Sequence, residues 1–176
     1  MLRPRVIPIV ITAAISASVL FGGWAIYNQV AVAAPLEQVA KEITGVVSSD
    51  KPVMDNEQVT IPIELNEDAN LRDVYERIQA NGEDIFDDRQ LTLKFKGKPN
   101  KQLEDLWYAA MFDIAEAMET KTYSNIPEAM NKAAKAYKDI TISTEMDEKN
   151  VYITIKNPEA VKYVVLPRTS NELEAW

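Results

Sequence analysis

The chain has 176 residues and a formal net charge of −8 at pH 7, and it contains neither cysteine nor histidine. These two absences exclude disulfides, thiol nucleophiles, Ser-His-Asp triads, and zinc sites built from thiolate or imidazole ligands. The acidic charge opposes binding to nucleic acid, and the glycines form no phosphate-binding fingerprint. We therefore expect no nucleic-acid partner and no cofactor.

The N-terminal part of the chain is apolar. Residues 6–27 carry no charge and follow Arg3 and Arg5. A helix of this length reaches roughly 33 Å, close to the bilayer hydrocarbon thickness of about 30 Å, which predicts one transmembrane helix. The basic residues place a stub, 1–5, in the cytoplasm and the rest of the chain outside the cell membrane. The alternative is a signal peptide cleaved near Ala33, which would release a secreted domain.

The remaining chain divides into three predicted regions. Residues 48–58 are polar and contain Pro52, so residues 28–58 are predicted to be a juxtamembrane segment and linker. Residues 59–168 are predicted to form one exported α+β domain, since their number is usual for a single domain. Residues 169–176 are predicted to be an acidic tail.

The domain is predicted to begin with a strand, a helix and a second strand. Apolar and polar residues alternate over 59–65, which is typical of a strand with one buried face. Pro62 has no N–H, which indicates an edge strand or a bulge. Apolar residues recur at helical spacing from Leu71 to Asn81, and alternation returns over 91–95. Two parallel strands joined by a helical crossover are therefore expected.

Two helices and three strands are predicted to follow. The first helix runs from about 102 to 120, and Ile126-Pro127 begins the second. Alternation over 140–146 and 151–155 predicts a β-hairpin, and 161–166 a third strand. The apolar stripe of the first helix is expected to be the main core element: Leu103, Leu106, Trp107, Ala110, Met111, Ile114 and Met118.

The order β-α-β-α-α-β-β-β predicts an α+β fold, preceded by the transmembrane helix. We expect a two-layer sandwich in which a mixed five-stranded sheet has helices on one face. Its other face would meet water, and an ordinary solvated face is the simplest interpretation. If that face binds a partner, its candidate residues are Thr92, Lys94, Lys96, Tyr152, Thr154 and Lys156.

An acidic cluster precedes the second predicted strand and consists of Glu83, Asp84, Asp87 and Asp88. Carboxylates are suitable ligands for Ca²⁺, but the cluster lacks the alternating spacing of a calcium loop. Glycoside hydrolysis would need two carboxylates that flank a cleft. A solvated loop is the preferred interpretation, and no metal site is predicted.

Four segments resemble those of an uncharacterised single-pass membrane protein family of Gram-positive bacteria. The resemblance spans most of the chain and carries no motif of known chemistry. It implies a membrane anchor, an exported α+β domain and a cell-envelope setting, and it transfers no catalytic residue. The segments are Leu20-Phe-Gly-Gly-Trp24, Ala117-Met-Glu-Thr-Lys121, Met146-Asp-Glu-Lys-Asn-Val-Tyr152 and Leu166-Pro-Arg-Thr169.

Three functional hypotheses are compatible with the sequence. The leading one is a membrane-anchored, non-enzymatic interaction or scaffolding domain that docks on an envelope protein. The second is a ligand-binding or sensory module, although a cytoplasmic stub of about five residues is too short to signal by itself. The third is a carboxylate-dependent hydrolase of envelope polymers, which would need two convergent carboxylates with one raised pKa.

Overall fold

The structure is a computed structural model that describes residues 6–27, 33–55, 57–86, 89–97 and 100–168. Its architecture is α+β, with a four-stranded and a three-stranded sheet. The helices are α1 (Val6–Tyr27), α2 (Ala34–Glu42), α3 (Leu71–Phe86), α4 (Lys101–Glu119) and α5 (Asn125–Ala134). The strands are β1 (Val46–Ser49), β2 (Val53–Met54), β3 (Gln58–Leu65), β4 (Gln90–Phe95), β5 (Thr141–Met146), β6 (Asn150–Lys156) and β7 (Val161–Pro167).

The prediction that the N-terminal helix α1 crosses the membrane is wrong. In the described part of the chain, no helix has the length and apolarity needed to cross a membrane. This finding overturns the predicted transmembrane helix, membrane anchor and single-pass localisation. The predicted stub 1–5 and tail 169–176 lie outside the described residues.

Strand β3 is the centre of the first sheet. Strand β4 pairs with it in parallel along six residue pairs, from Gln58↔Gln90 to Ile63↔Phe95. Strands β1 and β2 both pair with the other side of β3 and run antiparallel to it. The predicted parallel pair with a helical crossover is therefore confirmed.

The predicted linker is part of this sheet, because residues 48–58 contain the end of β1 and all of β2. Pro62 lies in the central strand, facing the gap between β1 and β2. Its carbonyl accepts a hydrogen bond from the Asp50 N–H at 2.9 Å, so the missing N–H also points to that side. Because β1 has ended and β2 has not begun opposite Pro62, the proline removes little of the hydrogen bonding between neighbouring strands.

Helices α2 and α3 cover one face of the first sheet. The inward residues of β3, which are Val59, Ile61 and Ile63, are completely buried. Gly45 has φ +99° at the turn from α2 into β1, a conformation that L side chains rarely adopt. The first core also includes Leu36, Leu71, Val74, Tyr75, Ile78, Phe86, Leu91 and Leu93.

The second sheet is an antiparallel meander in the order β5-β6-β7, which confirms the predicted hairpin and third strand. Val151, Ile153 and Ile155 of β6 are buried against α4 and α5. These helices pack together and contribute the rest of the second core: Leu103, Leu106, Ala110, Ile114, Ala117, Ile126, Ala129 and Met130.

The two sheets do not merge into the predicted five-stranded sheet. Tyr152 lies on the opposite face of β6 from Ile153, and its ring contacts Tyr75 of α3 edge-on, with centroids 5.5 Å apart. Tyr163 of β7 similarly contacts Phe95 of β4 at 5.3 Å. The second sheet is thus covered on both faces at β6. Alternation identified the strands but could not specify their partners, so the five-stranded two-layer sandwich was wrong.

Candidate functional site

Three residues of the predicted partner face lie on the first sheet. Thr92 and Lys94 are exposed on β4. Lys96 follows β4 and forms an ion pair with Asp50 at 2.5 Å. The Thr92 hydroxyl donates to the Gln58 side-chain oxygen at 3.5 Å, the limit of a hydrogen bond. These residues form a small polar surface without an apolar centre.

The other three candidates lie on the second sheet. Tyr152 is only 1% exposed, and Thr154 and Lys156 are half-buried on the same strand. Lys156 donates to the Glu67 carbonyl at 2.9 Å and to Asp68 at 3.3 Å. The six residues therefore do not share one surface, and Tyr152 cannot contact a partner without rearrangement.

The predicted acidic cluster gives no cation site in the described residues. Glu83 and Asp84 are exposed near the end of α3, whereas Asp87 and Asp88 lie outside the described residues. Within the described ranges, no three Asp, Glu, His or Cys side chains are grouped so that they could hold a metal ion.

A buried polar network surrounds Tyr152. Its hydroxyl donates to Asp147 at 2.6 Å and accepts from the Asn150 amide at 3.2 Å. Burial and the Asp147 hydrogen bond raise the pKa of Tyr152. Burial opposes ionisation of Asp147, but donors from Tyr152, Asn150 and Lys149 outweigh it and hold its pKa below the usual range. The network keeps Asp147 charged and joins the β5–β6 turn to the interior.

Arg168 closes this network from the end of β7. Its guanidinium donates to the Asp147 carbonyl and lies 4.5 Å from the centre of the Tyr123 ring. The Arg168 Nε atom is buried without a hydrogen-bond partner. Because these groups bond mainly to one another and are sheltered from solvent, their geometry indicates a structural role.

The outward face of α4 carries an exposed apolar stripe. Its members recur at i, i+3, i+4 and i+7, so they share one face of the helix. Phe112 is 80% exposed, Tyr108 59% and Met111 38%, and the exposed Ala115 completes the set. We call these four residues the outer stripe. Such contiguous apolar exposure on a helix is a feature of interaction surfaces.

Helix α4, which carries the outer stripe, is held firmly in the fold. The Asn100 side chain caps its start by accepting from the Leu103 N–H at 3.2 Å. On the opposite face, Leu106 and Ala110 are buried against the second sheet. The outer stripe therefore projects from a helix whose other face is fixed by the core.

An acidic groove runs beside the outer stripe, between α4 and α5. It has a volume of about 270 Å³. Asp113 pairs with Lys132 across the groove at 3.1 Å. Glu116 and Glu128, which also line it, take part in no ion pair in the described part of the chain. The groove therefore adds a negative border to the apolar stripe.

Sequence reasoning missed the outer stripe, although its spacing was visible. The core stripe predicted from the sequence includes Met111, whereas the structure leaves it 38% exposed. Trp107 and Met118 do pack against the core, as predicted. Tyr108 and Phe112 are four residues apart and lie on the same outward face. The stronger pattern of the core-facing residues concealed this second stripe.

No family model, no curated protein and no solved structure matches this chain.

Proposed function

We propose that this protein is a non-enzymatic interaction domain that binds a partner protein through the outer stripe of α4. The observation that carries the proposal is the exposure of Tyr108, Met111 and Phe112 on one helical face. Aromatic residues and methionine are enriched in the centres of protein interfaces, and tyrosine is frequent among the residues that dominate binding energy.

The outer stripe offers enough apolar surface to anchor a partner. With roughly 200 Å² for a full aromatic side chain, the exposed fractions of Tyr108 and Phe112 correspond to about 280 Å². Burial at about 25 cal/mol per Å² would give at most about 7 kcal/mol before the entropic costs of association. A standard interface buries about 800 Å² on each partner, so the stripe would be its centre rather than its whole.

The two alternative functions receive less support. A cleft of about 380 Å³ is open to solvent and is lined by charged side chains such as Arg89 and Lys149 as well as by apolar ones, unlike the enclosed apolar pockets that bind small molecules. A carboxylate hydrolase needs a general acid with a raised pKa. Asp55 and Asp147, described carboxyl groups with shifted pKa values, are both shifted downwards.

In-cell photo-crosslinking tests the proposed binding surface. A photoreactive phenylalanine analogue replaces Tyr108, and a parallel sample carries it at Met146, which is 50% exposed on β5. We expect a discrete protein adduct from position 108 and none from position 146. The adduct should disappear when the position-108 protein also carries Phe112→Ser, because that change removes the neighbouring anchor.

A matched control separates binding from folding. Phe112→Ser should leave the free energy of unfolding within about 0.5 kcal/mol of the wild-type value, because the side chain is 80% exposed. A second control, Met146→Ser, should preserve the adduct from position 108. Adducts from positions 108 and 146 alike, or an adduct that survives Phe112→Ser, would refute the outer stripe as the binding surface.

A further inference from the structure

We propose that the partner contributes a basic amphipathic helix, with its apolar face on the outer stripe and its cationic face along the acidic groove. This inference rests on the proposed function and specifies the chemistry of the partner. Helices commonly bind in this way, with apolar anchors in a groove and charged residues at its border.

The charge of α4 indicates the sign of the charge that the partner should carry. The helix carries five carboxylates and one lysine, and that lysine, Lys101, already pairs with Asp105 at 2.6 Å. Across the groove Lys132 is likewise occupied by Asp113. Glu116 and Glu128 are left without an ion-pair partner among the described residues. Cationic side chains on the partner would complete these pairs, whereas anionic ones would add repulsion.

The geometry identifies the shape of the partner. From Tyr108 to Ala115 the outer stripe covers two helical turns, or about 10 Å along α4. The acidic groove runs between α4 and α5 next to this stripe, and its lining includes Asp113 and Glu116. A helix lying along α4 would meet apolar surface on one side and carboxylates on the other. Its own apolar and basic faces would then lie side by side.

A second copy of the chain is a less suitable occupant of this surface. Apposing two α4 helices would bring together two sets of five carboxylates, of which Glu116 and Glu119 have no ion-pair partner among the described residues. Like charges across an interface oppose association, although apolar burial could still favour a weak dimer. The partner is therefore expected to differ from this chain in the sign of its charge.

Peptide binding to the full chain tests the inference. The probe is a fluorescein-labelled 18-residue helix with leucines on one face and lysines on the other, and its control carries glutamates in place of the lysines. The proteins are the wild type, Phe112→Ala, the double variant E116Q/E128Q, and the control Glu148→Gln, which changes an exposed carboxylate of the β5–β6 turn that does not line the groove. Fluorescence anisotropy measures each dissociation constant at 0.1 M and 1 M salt.

The expected pattern separates the two proposals. Phe112→Ala should weaken lysine-peptide binding about thirtyfold, as for an interface anchor. The E116Q/E128Q variant should weaken it about threefold to tenfold at 0.1 M salt, and this loss should shrink at 1 M, where screening acts within about 3 Å. The Glu148→Gln control should bind like the wild type, and the glutamate peptide should bind more weakly throughout.

Two results would overturn the basic-helix proposal while leaving the outer stripe as a binding surface. One is equal binding of lysine and glutamate peptides with sensitivity only to Phe112→Ala. The other is a dimer in analytical ultracentrifugation that Phe112→Ala dissociates, which would make a second copy the occupant. If Phe112→Ala changes neither peptide binding nor self-association, the proposed function itself fails.

Discussion

The hydroxyl of Tyr152 should be important for stability, because it joins a buried ring to a charged carboxylate. The side chain is 1% exposed, and its hydroxyl donates to Asp147 at 2.6 Å. The substitution Tyr152→Phe keeps the ring and its edge-on contact with Tyr75 but removes this donor. It also removes the acceptor of the Asn150 amide.

The expected magnitude follows from the partners left behind. A hydrogen bond to a charged group contributes about 1.5–3 kcal/mol. Asp147 retains N–H donors from Lys149 and Asn150, so we expect Tyr152→Phe to lower the free energy of unfolding by about 2 kcal/mol. For a chain of this size that corresponds to a melting temperature lower by about 4–8 °C.

The effect should depend on pH in a defined direction. The pKa of Asp147 in the folded protein lies below its ordinary value of 3.8. The stability that it contributes is therefore present above about pH 4 and is lost as the pH falls through the folded pKa. Tyr152→Phe should raise that pKa towards the ordinary value. The difference between wild type and variant should be full at pH 7 and shrink below about pH 4.

Urea unfolding at pH 7 and pH 3 measures this difference, with Tyr163→Phe as the matched control. The Tyr163 hydroxyl donates to the Asn66 carbonyl at 3.0 Å, a neutral acceptor, so its removal should cost about 0.5–1.5 kcal/mol. That cost should be the same at both pH values. The reasoning is refuted if Tyr152→Phe is no more destabilising than Tyr163→Phe at pH 7, or if its effect is independent of pH.

Two further substitutions test local features of the fold by urea unfolding. Asn100→Ala should lower the free energy of unfolding by about 1 kcal/mol, because it removes the side chain that accepts from the Leu103 N–H. Asn100→Asp keeps an acceptor and should retain most of the stability. Equal losses in the two variants would argue against a capping role. Gly82→Ala would place a Cβ 2.5 Å from the Phe86 ring, so it should cost about 1–2 kcal/mol despite the better helix propensity of alanine. The exposed neighbour provides the control, since Asn81→Ala should be neutral or slightly stabilising; a stabilising Gly82→Ala would show that the ring can move aside.

The sequence predicted local structure better than the arrangement of the sheets. Helix α3, the β3–β4 parallel pair and the β5–β6 hairpin follow from periodicity within short windows. Strand partners depend on contacts between distant residues, which periodicity does not encode. The sequence predicts a linker over 48–58 because Pro52 and polar side chains interrupt the alternation of apolar and polar residues. In the structure, the break between β1 and β2 lies opposite Pro62, which has no N–H to donate to a neighbouring strand.

Tyr152 shows why the six candidate partner residues do not share one surface. In β6 the apolar residues Val151, Ile153 and Ile155 fix one inward face, so alternation assigns Tyr152 to water. Alternation gives this result only if other elements pack on one face of the sheet and the other face meets water. Here α4 and α5 cover one face and Tyr75 covers part of the other. A tyrosine can occupy this second layer because its hydroxyl reaches Asp147 while its ring is buried.

Helix α4 carries on opposite faces the residues that hold it in the fold and those that we propose bind a partner. Its inner residues, such as Leu106, are completely buried and hold the helix on the second sheet. Phe112 makes no comparable contribution, because most of its surface meets water. An apolar outer stripe is therefore not required to complete the core, and exposed apolar surface carries a risk of aggregation. Loss of Leu106 should thus disrupt both folding and binding, whereas loss of Phe112 should disrupt binding alone. This separation makes the outer stripe the most informative place to test function.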